Sequence, residues 1–419
     1  MPLVPPWLNE RRVRAQALSL ALGLWIIYAW VLATPGLRDR NGLIKGTDFL
    51  HFYTLGMLAD GHRATDLYDM REQTKLLGER VPEAAHTVYL PLYGPQVSLV
   101  FAPFAMVSYR SALIAWLLCS AALYAFCVYA VWRTCPNLAG HGTTVFVVAL
   151  AYPAFFNLIA WGQTSALALA CFTAAYCFLR EDRRFAAGLA LGCLIYKPQL
   201  GLVVAFIFCA TAAWRIIAGA ALSACAQLAT GWIYYGTRAM RDYASQIWHV
   251  DRVLGLLEPR IEQTHSLRTF WQMLVPNSTA AWVLYAVSAA AILWGALICW
   301  RSSQPLGLRY SALLLATVLV SPHLTVYDLV ILAPVFLLIA DWLVGQHSPN
   351  VSGRHFVIAV YLVYFLPILG ILAKWTHVQF SVIAMALLMW LVWRACGTGP
   401  TCSDRDHGLL TTSAPREDF

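Results

Sequence analysis

Residues 184–210 read RFAAGLALGCLIYKPQLGLVVAFIFCA, an apolar run from Arg184 to Tyr196, then Lys197-Pro198-Gln199, then a second apolar run. A helix over 184–196 is about 20 Å long at 1.5 Å per residue, short of the ~30 Å hydrocarbon core of a bilayer. Proline ends a helix and pushes the residue before it out of helical geometry, so Lys197 lands at membrane depth. Broken backbone and an ionisable side chain are tolerated there only where they line a protein-enclosed or watery cavity. The stretch therefore predicts a membrane domain with a polar interior.

The rest of the chain agrees. Its 419 residues are 60% hydrophobic and 12% charged, with a mean hydropathy of +0.62, where soluble proteins run about 45–50% apolar and about 25% charged. That excludes a disordered chain, a disulfide-stapled secreted domain and an ordinary cytosolic enzyme. We expect an all-α polytopic membrane protein of about 12 transmembrane helices, near 15–34, 111–132, 143–160, 164–180, 184–196, 199–214, 216–235, 280–300, 309–321, 324–343, 355–373 and 376–395. Together they form one transmembrane domain over 1–395, with external loops at 35–110 and 236–279 and a disordered cytoplasmic tail at 396–419. One further apolar stretch, 88–107, carries Pro91, Pro95 and Pro103 and reads as juxtamembrane or re-entrant. With both termini cytoplasmic, Arg133, Arg180, Arg183, Arg215, Arg301, Arg309, Arg354 and Arg394 all fall on the cytoplasmic side, as the positive-inside rule asks. The first span ends without a cleavage site and reads as a signal anchor.

The net charge of +8 comes without any run of more than two basic residues, so nucleic acid is not expected as a partner; the excess sets topology. The cysteines lie mostly in apolar segments, with no CxxC, and read as small hydrophobes. No repeat relates the two halves.

Strongly polar residues collect on the outer side: Asp48 in Gly46-Thr47-Asp48-Phe49-Leu50-His51-Phe52-Tyr53; Gln163 in Gly162-Gln163-Thr164; Lys197; His265 and Arg268 in His265-Ser266-Leu267-Arg268; and His323 and Asp328 in Ser321-Pro322-His323-Leu324-Thr325-Val326-Tyr327-Asp328. Helix nine is short as well, which recesses His323. The first loop reads as amphipathic helices lying in the membrane interface, with Phe49, Phe52, Tyr53 and Leu55 at helical spacing. Each residue has a plainer reading. Asp48 caps a helix; Lys197 snorkels; Asp328 pairs with Lys197 or His323; Gln163 satisfies turn backbone; His323 is a hydrogen-bonded structural residue; His265 and Arg268 are solvated; and Asp60, Asp66 and Asp69 serve turns and caps.

An outward cavity with one carboxylate and several cations suits a lipid-linked phosphate. The cations neutralise a phosphodiester and the carboxylate deprotonates a hydroxyl. Nucleotide sugars are absent outside the cytoplasmic membrane, so an outward-facing transferase needs a lipid-borne donor. A transporter or flippase of a lipid-linked saccharide is the competing class, although such proteins usually show repeat symmetry.

The ordered series Gly46-Thr47-Asp48-Phe49 with Phe52-Tyr53, Leu67-Tyr68-Asp69, Tyr89-Leu90-Pro91, Gly162-Gln163, Lys197-Pro198, Ser321-Pro322-His323 and Tyr327-Asp328 resembles the bacterial polyprenol-phosphate-mannose-dependent mannosyltransferases of glycosyltransferase family eighty-seven, over about residues 15–395. The resemblance implies a GT-C fold in the bacterial inner membrane, with the active site facing the periplasm or exterior. It implies an inverting transfer of a hexose, mannose in the family, from a polyprenyl-phosphate sugar donor to a glycan or glycolipid acceptor. In it, Asp48 matches the general base, and Lys197 and His323 match positions near the donor phosphate. Arg268 is expected to assist at the phosphate, and Gln163, His51, Tyr53, His265 and Asp328 to bind substrate. The series departs from the family at Leu90, where a proline is usual, and at Ser165, where an asparagine is usual; both bear on substrate preference. No cofactor or metal is demanded, although Asp69 and Asp328 remain open to a divalent cation.

Overall fold

Helices form wherever the apolar runs predict them, and prolines and glycines punctuate them. The computed structural model describes residues 9–250, 260–346 and 351–397; the expected tail beyond Gly397 and residues 251–259 of the second loop lie outside these. Among the described residues seven helical stretches are long and apolar enough to cross a membrane, with an eighth if one bent pair is counted as a single span. The long ones include α1 (Glu10–Leu32) and the helices Tyr109–Trp132, Trp214–Trp248, Ser278–Arg301 and Phe380–Gly397. Four shorter apolar stretches, Ser165–Arg180, Arg184–Tyr196, Pro198–Ala210 and Leu306–Val320, stand where further spans are expected. Each of the twelve predicted spans thus has a helical counterpart, four of them too short to cross alone.

The first loop holds α2 (Thr47–Asp60) and α3 (Met70–Arg80), followed by α4 (Pro95–Ala105) and α5 (Tyr109–Trp132). Here the structure departs from expectation in two ways. α3 is amphipathic and buries only Gln73 and Leu77, but α2 is not an interfacial helix: every residue from Phe49 to Ala59 is buried. The physical reason is that α4, from the proline-containing stretch, and α5 both pack on α2, and their aromatic rings meet its own. Phe49 lies among Phe101, Phe104, Tyr109 and Trp116. Pro95 does not break α4 but starts it, at the one position where its missing N–H costs nothing.

Next come α6 (Gly142–Ala151) and α7 (Pro153–Trp161), then α8 (Ser165–Arg180), α9 (Arg184–Gly192), α10 (Leu202–Ala210) and the long α11 (Trp214–Trp248). The single span expected over 143–160 is bent by 48° because Pro153 forces Tyr152 into extended geometry (ψ 120°). α9 docks on α11 through bare backbone: a methyl at Gly188 or Gly192 would sit 2.2 or 2.3 Å from a carbonyl oxygen of the facing helix. This is the small-residue packing used between membrane helices. Held there, α9 runs into a tight turn at Cys193–Tyr196 and stops at Lys197 (φ −130°, ψ 71°), as Pro198 requires.

The chain continues through α12 (Leu267–Leu274), α13 (Ser278–Arg301), α14 (Leu306–Val320), α15 (Ala333–Gly345), α16 (Val351–Phe365) and α17 (Phe380–Gly397). The main core gathers α5, α7 to α10 and α13 to α17; a second, smaller core joins α2, α4 and the start of α5. The predicted spans agree on their ends. Glu10 meets His141 at 3.0 Å and Thr144 at 2.7 Å, Asn137 meets Asp341, and Arg301 reaches the carbonyl of Ala210. The segments expected on the cytoplasmic side thus share one end of the bundle.

Candidate active site

At the other end, the loops between helices converge. The turn after α7 closes with Gly162 in left-handed geometry (φ 70°), and a methyl there would lie 2.8 Å from Cβ of Phe49. Only glycine lets this turn lie against the start of α2. Trp116 fastens it by donating to the Gly162 carbonyl at 2.9 Å, while Tyr109 donates to the carbonyls of Lys45 and Gly46 and Tyr89 to that of Thr47. Two motifs more than a hundred residues apart are pressed together.

Asp48 is the result. It does not cap its helix, whose N-cap is Gly46 and which has no side-chain cap. Instead Gln163 Nε2 donates to Asp48 Oδ2 at 2.7 Å and to the Tyr327 hydroxyl at 3.2 Å. The carboxylate keeps part of its surface open but is otherwise enclosed. Burial pushes its pKa up to about 6; the Gln163 hydrogen bond and the Lys197 charge pull it down, and Asp328 pushes it up again.

Behind Gln163 lies an ion pair. Lys197 Nζ donates to Asp328 Oδ1 at 2.8 Å and to Ser165 Oγ at 3.1 Å, and the Ser165 hydroxyl donates to the same carboxylate oxygen at 2.5 Å. Both charged side chains are at most 5% exposed. Asp328 Oδ2 accepts from the backbone N–H and the hydroxyl of Thr325, so the tight turn at Val326–Leu332 carries a capping box. Lys197 also stands 5.5 Å from the centre of the Tyr327 ring. Asp48 and Lys197 are therefore linked through Gln163 and Tyr327, and the pairing of Asp328 with Lys197 is the plainer of the two readings of that aspartate.

Arg268, on α12, is buried and donates through Nε to the Pro322 carbonyl and through an η nitrogen to Gln272 at 3.2 Å. It thus lies against the loop carrying His323. His51 lies one turn beyond Asp48, stacked 4.8 Å from Tyr89 and without a hydrogen bond to Nε2 among the described residues; burial pulls its pKa down to about 4. Two expected substrate ligands have their polar side-chain atoms engaged by protein. Tyr53 belongs to the smaller core and gives its hydroxyl to the Val107 carbonyl at 2.8 Å. His265 is buried, not solvated. Its Nδ1 bonds Ser381 at 2.6 Å, its backbone N–H bonds the Leu324 carbonyl, and burial pulls its pKa down to about 3. Tyr53 is turned toward protein by its helix face, and His265 by the strand-like bridge of Thr264 with Thr325.

Asp69 caps α3 by accepting from the N–H groups of Arg71 and Glu72, and Asp66 pairs with Arg63 at 2.5 Å. Among the described residues no three His, Cys, Asp or Glu side chains gather as metal ligands. Tyr327 and Ser165 join the site as well: Tyr327 stands in the Tyr327-Asp328 pair of the motif series, and Ser165 at the position where the family usually has an asparagine.

A multi-pass helical membrane protein whose loops meet around a largely enclosed carboxylate and a buried ion pair has the make-up of a membrane glycosyltransferase. The family model for glycosyltransferase family 87 matches residues 92–322, more than half of the chain, and the chain belongs to that family. The match takes in Gln163, Lys197 and Arg268 and ends at Pro322; Asp48 lies before it, and His323 and Asp328 just after. No curated protein and no solved structure matches the chain significantly. The protein is a glycosyltransferase, and the alternative of a saccharide transporter falls away.

Proposed function

We propose that the enzyme moves a hexose, mannose by the resemblance, from a polyprenyl-phosphate donor to a hydroxyl of a lipid or glycan acceptor at the outer face of a bacterial cytoplasmic membrane, inverting the anomeric centre. The observation that carries this reading is Asp48: a largely enclosed carboxylate, held by Gln163, with Lys197 near enough to lower its pKa. With a pKa of about 6 it is ionised at neutral pH yet basic enough to accept a proton, as general-base catalysis favours.

Asp48 takes the proton of the acceptor hydroxyl. The oxygen forms its bond to the anomeric carbon while the bond from that carbon to the phosphate oxygen breaks, the electron pair leaving with the phosphate. That leaving group is already an anion and needs no general acid. Two of the three donors on Lys197 are committed to Asp328 and Ser165, so one is left for a phosphate oxygen. Because Asp328 offsets much of the lysine's charge, Arg268 supplies the remaining positive field as charge develops, with His323 on the neighbouring loop as a further donor to the phosphate. The reading calls for no cofactor or metal.

The test is to incubate the purified protein with radiolabelled polyprenyl-phosphate mannose, and separately glucose, in vesicles of bacterial membrane lipid. We expect label from one donor to reach a glycolipid and Asp48→Asn to lose transfer by at least a thousandfold while still binding donor. Wild-type-like turnover in Asp48→Asn would overturn the base assignment.

A further inference from the structure

We propose that Gln163 is a positioning residue for the base and not a ligand of the sugar: it fixes the Asp48 carboxylate by one oxygen and presents the other to the acceptor hydroxyl. The inference rests on the reading of Asp48 as the base.

The hydrogen-bond inventory of the amide leads to this. A glutamine side chain has two N–H donors and one carbonyl oxygen. One donor goes to Asp48 Oδ2 at 2.7 Å and the other to the Tyr327 hydroxyl at 3.2 Å, while Oε1 accepts from the backbone N–H of Thr164 at 3.2 Å. Rotating the amide by half a turn would place its oxygen against the carboxylate and its NH₂ against an N–H, two repulsive contacts, so its sense is dictated. Both donors are used, one Oε1 lone pair is taken by Thr164, and at 7% exposure the side chain has no N–H left to donate to a sugar oxygen. Its backbone is equally committed: the N–H groups of Gly162 and Gln163 both donate to the Leu158 carbonyl, which locks the turn whose left-handed glycine lies against Phe49. Among the described residues Asp48 Oδ1 has no hydrogen-bond partner, and the residue's remaining exposed surface is the route to it. A base oriented through one oxygen, with the other open, does not have to search rotamers at the moment of transfer.

The experiment uses the full chain, purified in detergent, with Gln163→Leu and Gln163→Asn. The protonated Asp48 carboxyl is followed by infrared difference titration as the band missing in Asp48→Asn, and transfer from radiolabelled polyprenyl-phosphate mannose is measured across pH. Losing a hydrogen bond to a charged group is expected to raise the Asp48 midpoint by about one to two pH units in Gln163→Leu. The acid limb of kcat/KM should move with it, kcat at pH 6 should fall at least about fivefold, and donor KM should stay within twofold. Gln163→Asn, one methylene shorter and polar, keeps the turn soluble if the leucine variant does not fold, and should move the midpoint in the same direction. Tyr327→Phe spares the bond to Asp48 and should leave the midpoint in place. An unmoved midpoint with raised donor KM would make Gln163 a substrate ligand and overturn the proposal, as would an equal shift in Tyr327→Phe. A shifted midpoint together with an active Asp48→Asn would leave the positioning intact and remove the base assignment.

Discussion

Lys197 and Asp328 show how a single side chain can be read two ways until its neighbour is placed. A lysine before a proline in an apolar stretch is equally a snorkelling residue or an anion ligand; at 2.8 Å from a buried aspartate it is first of all half of an ion pair. Removing one partner of a buried pair is costly because the other charge is left uncompensated. Lys197→Met is expected to destabilise the protein by about 3–5 kcal/mol, read as a lowered Tm in detergent, and Lys197→Met with Asp328→Leu to recover most of that loss. At Asp48 the same reasoning applies to pH. Its pKa is raised to about 6, so the base is lost as pH falls through that value, and kcat/KM should level off above about 7 and fall tenfold per unit below about 5. A flat profile between 5 and 7 would contradict this.

At the scale of elements, the decisive pieces are short. The turn at Gly162–Gln163 and the break at Lys197–Pro198 are where helices stop, and both stops have local causes visible in the sequence: a glycine able to take positive φ and a proline that cannot continue a helix. What those turns touch was not visible. Gly162→Ala would set a methyl 2.8 Å from Phe49 Cβ in a backbone conformation unfavourable to alanine. It is expected to cost about 1–3 kcal/mol and to lower transfer, whereas Gly23→Ala, with no atom within 4 Å, should alter neither; Tm and turnover on the two variants check this. α2 carries the same lesson in reverse. Its alternating aromatic and polar residues suit an interfacial helix, yet a helix buried on all sides is compatible with the same letters once α4 and α5 cover it.

For the whole molecule, the expectation is sidedness. The contacts of Glu10 with His141 and of Asn137 with Asp341 tie the basic ends together, while Asp48, Gln163, Lys197 and Asp328 meet at the other end. If that end faces outward, a cysteine replacing Thr47 reacts with a membrane-impermeant thiol reagent added to intact cells and one replacing Asp182 does not; the reverse pattern would invert the topology. Stability should also follow pH through the buried histidines. His51 and His265 have pKa values lowered to about 4 and about 3, so the unfolded chain binds more protons than the folded one between those values and about 6.5. Stability is therefore expected to rise from pH 4 to 6.5 and to flatten above, measured as Tm in detergent, with His265→Phe flattening the slope.

Composition and apolar run lengths alone decided that this is a helical membrane protein, because transfer of a chain into hydrocarbon depends on summed side-chain chemistry and not on where the chain goes next. Proline and glycine alone decided where several helices stop, because backbone dihedral limits are local. Only the tertiary structure decided that Asp48 meets Gln163 and not its own helix end, that Lys197 is matched by Asp328, and that Tyr53 and His265 give their side-chain polar atoms to Val107 and Ser381. Those outcomes depend on which turns are pressed together across more than a hundred residues of intervening chain, and no local pattern encodes such a distance.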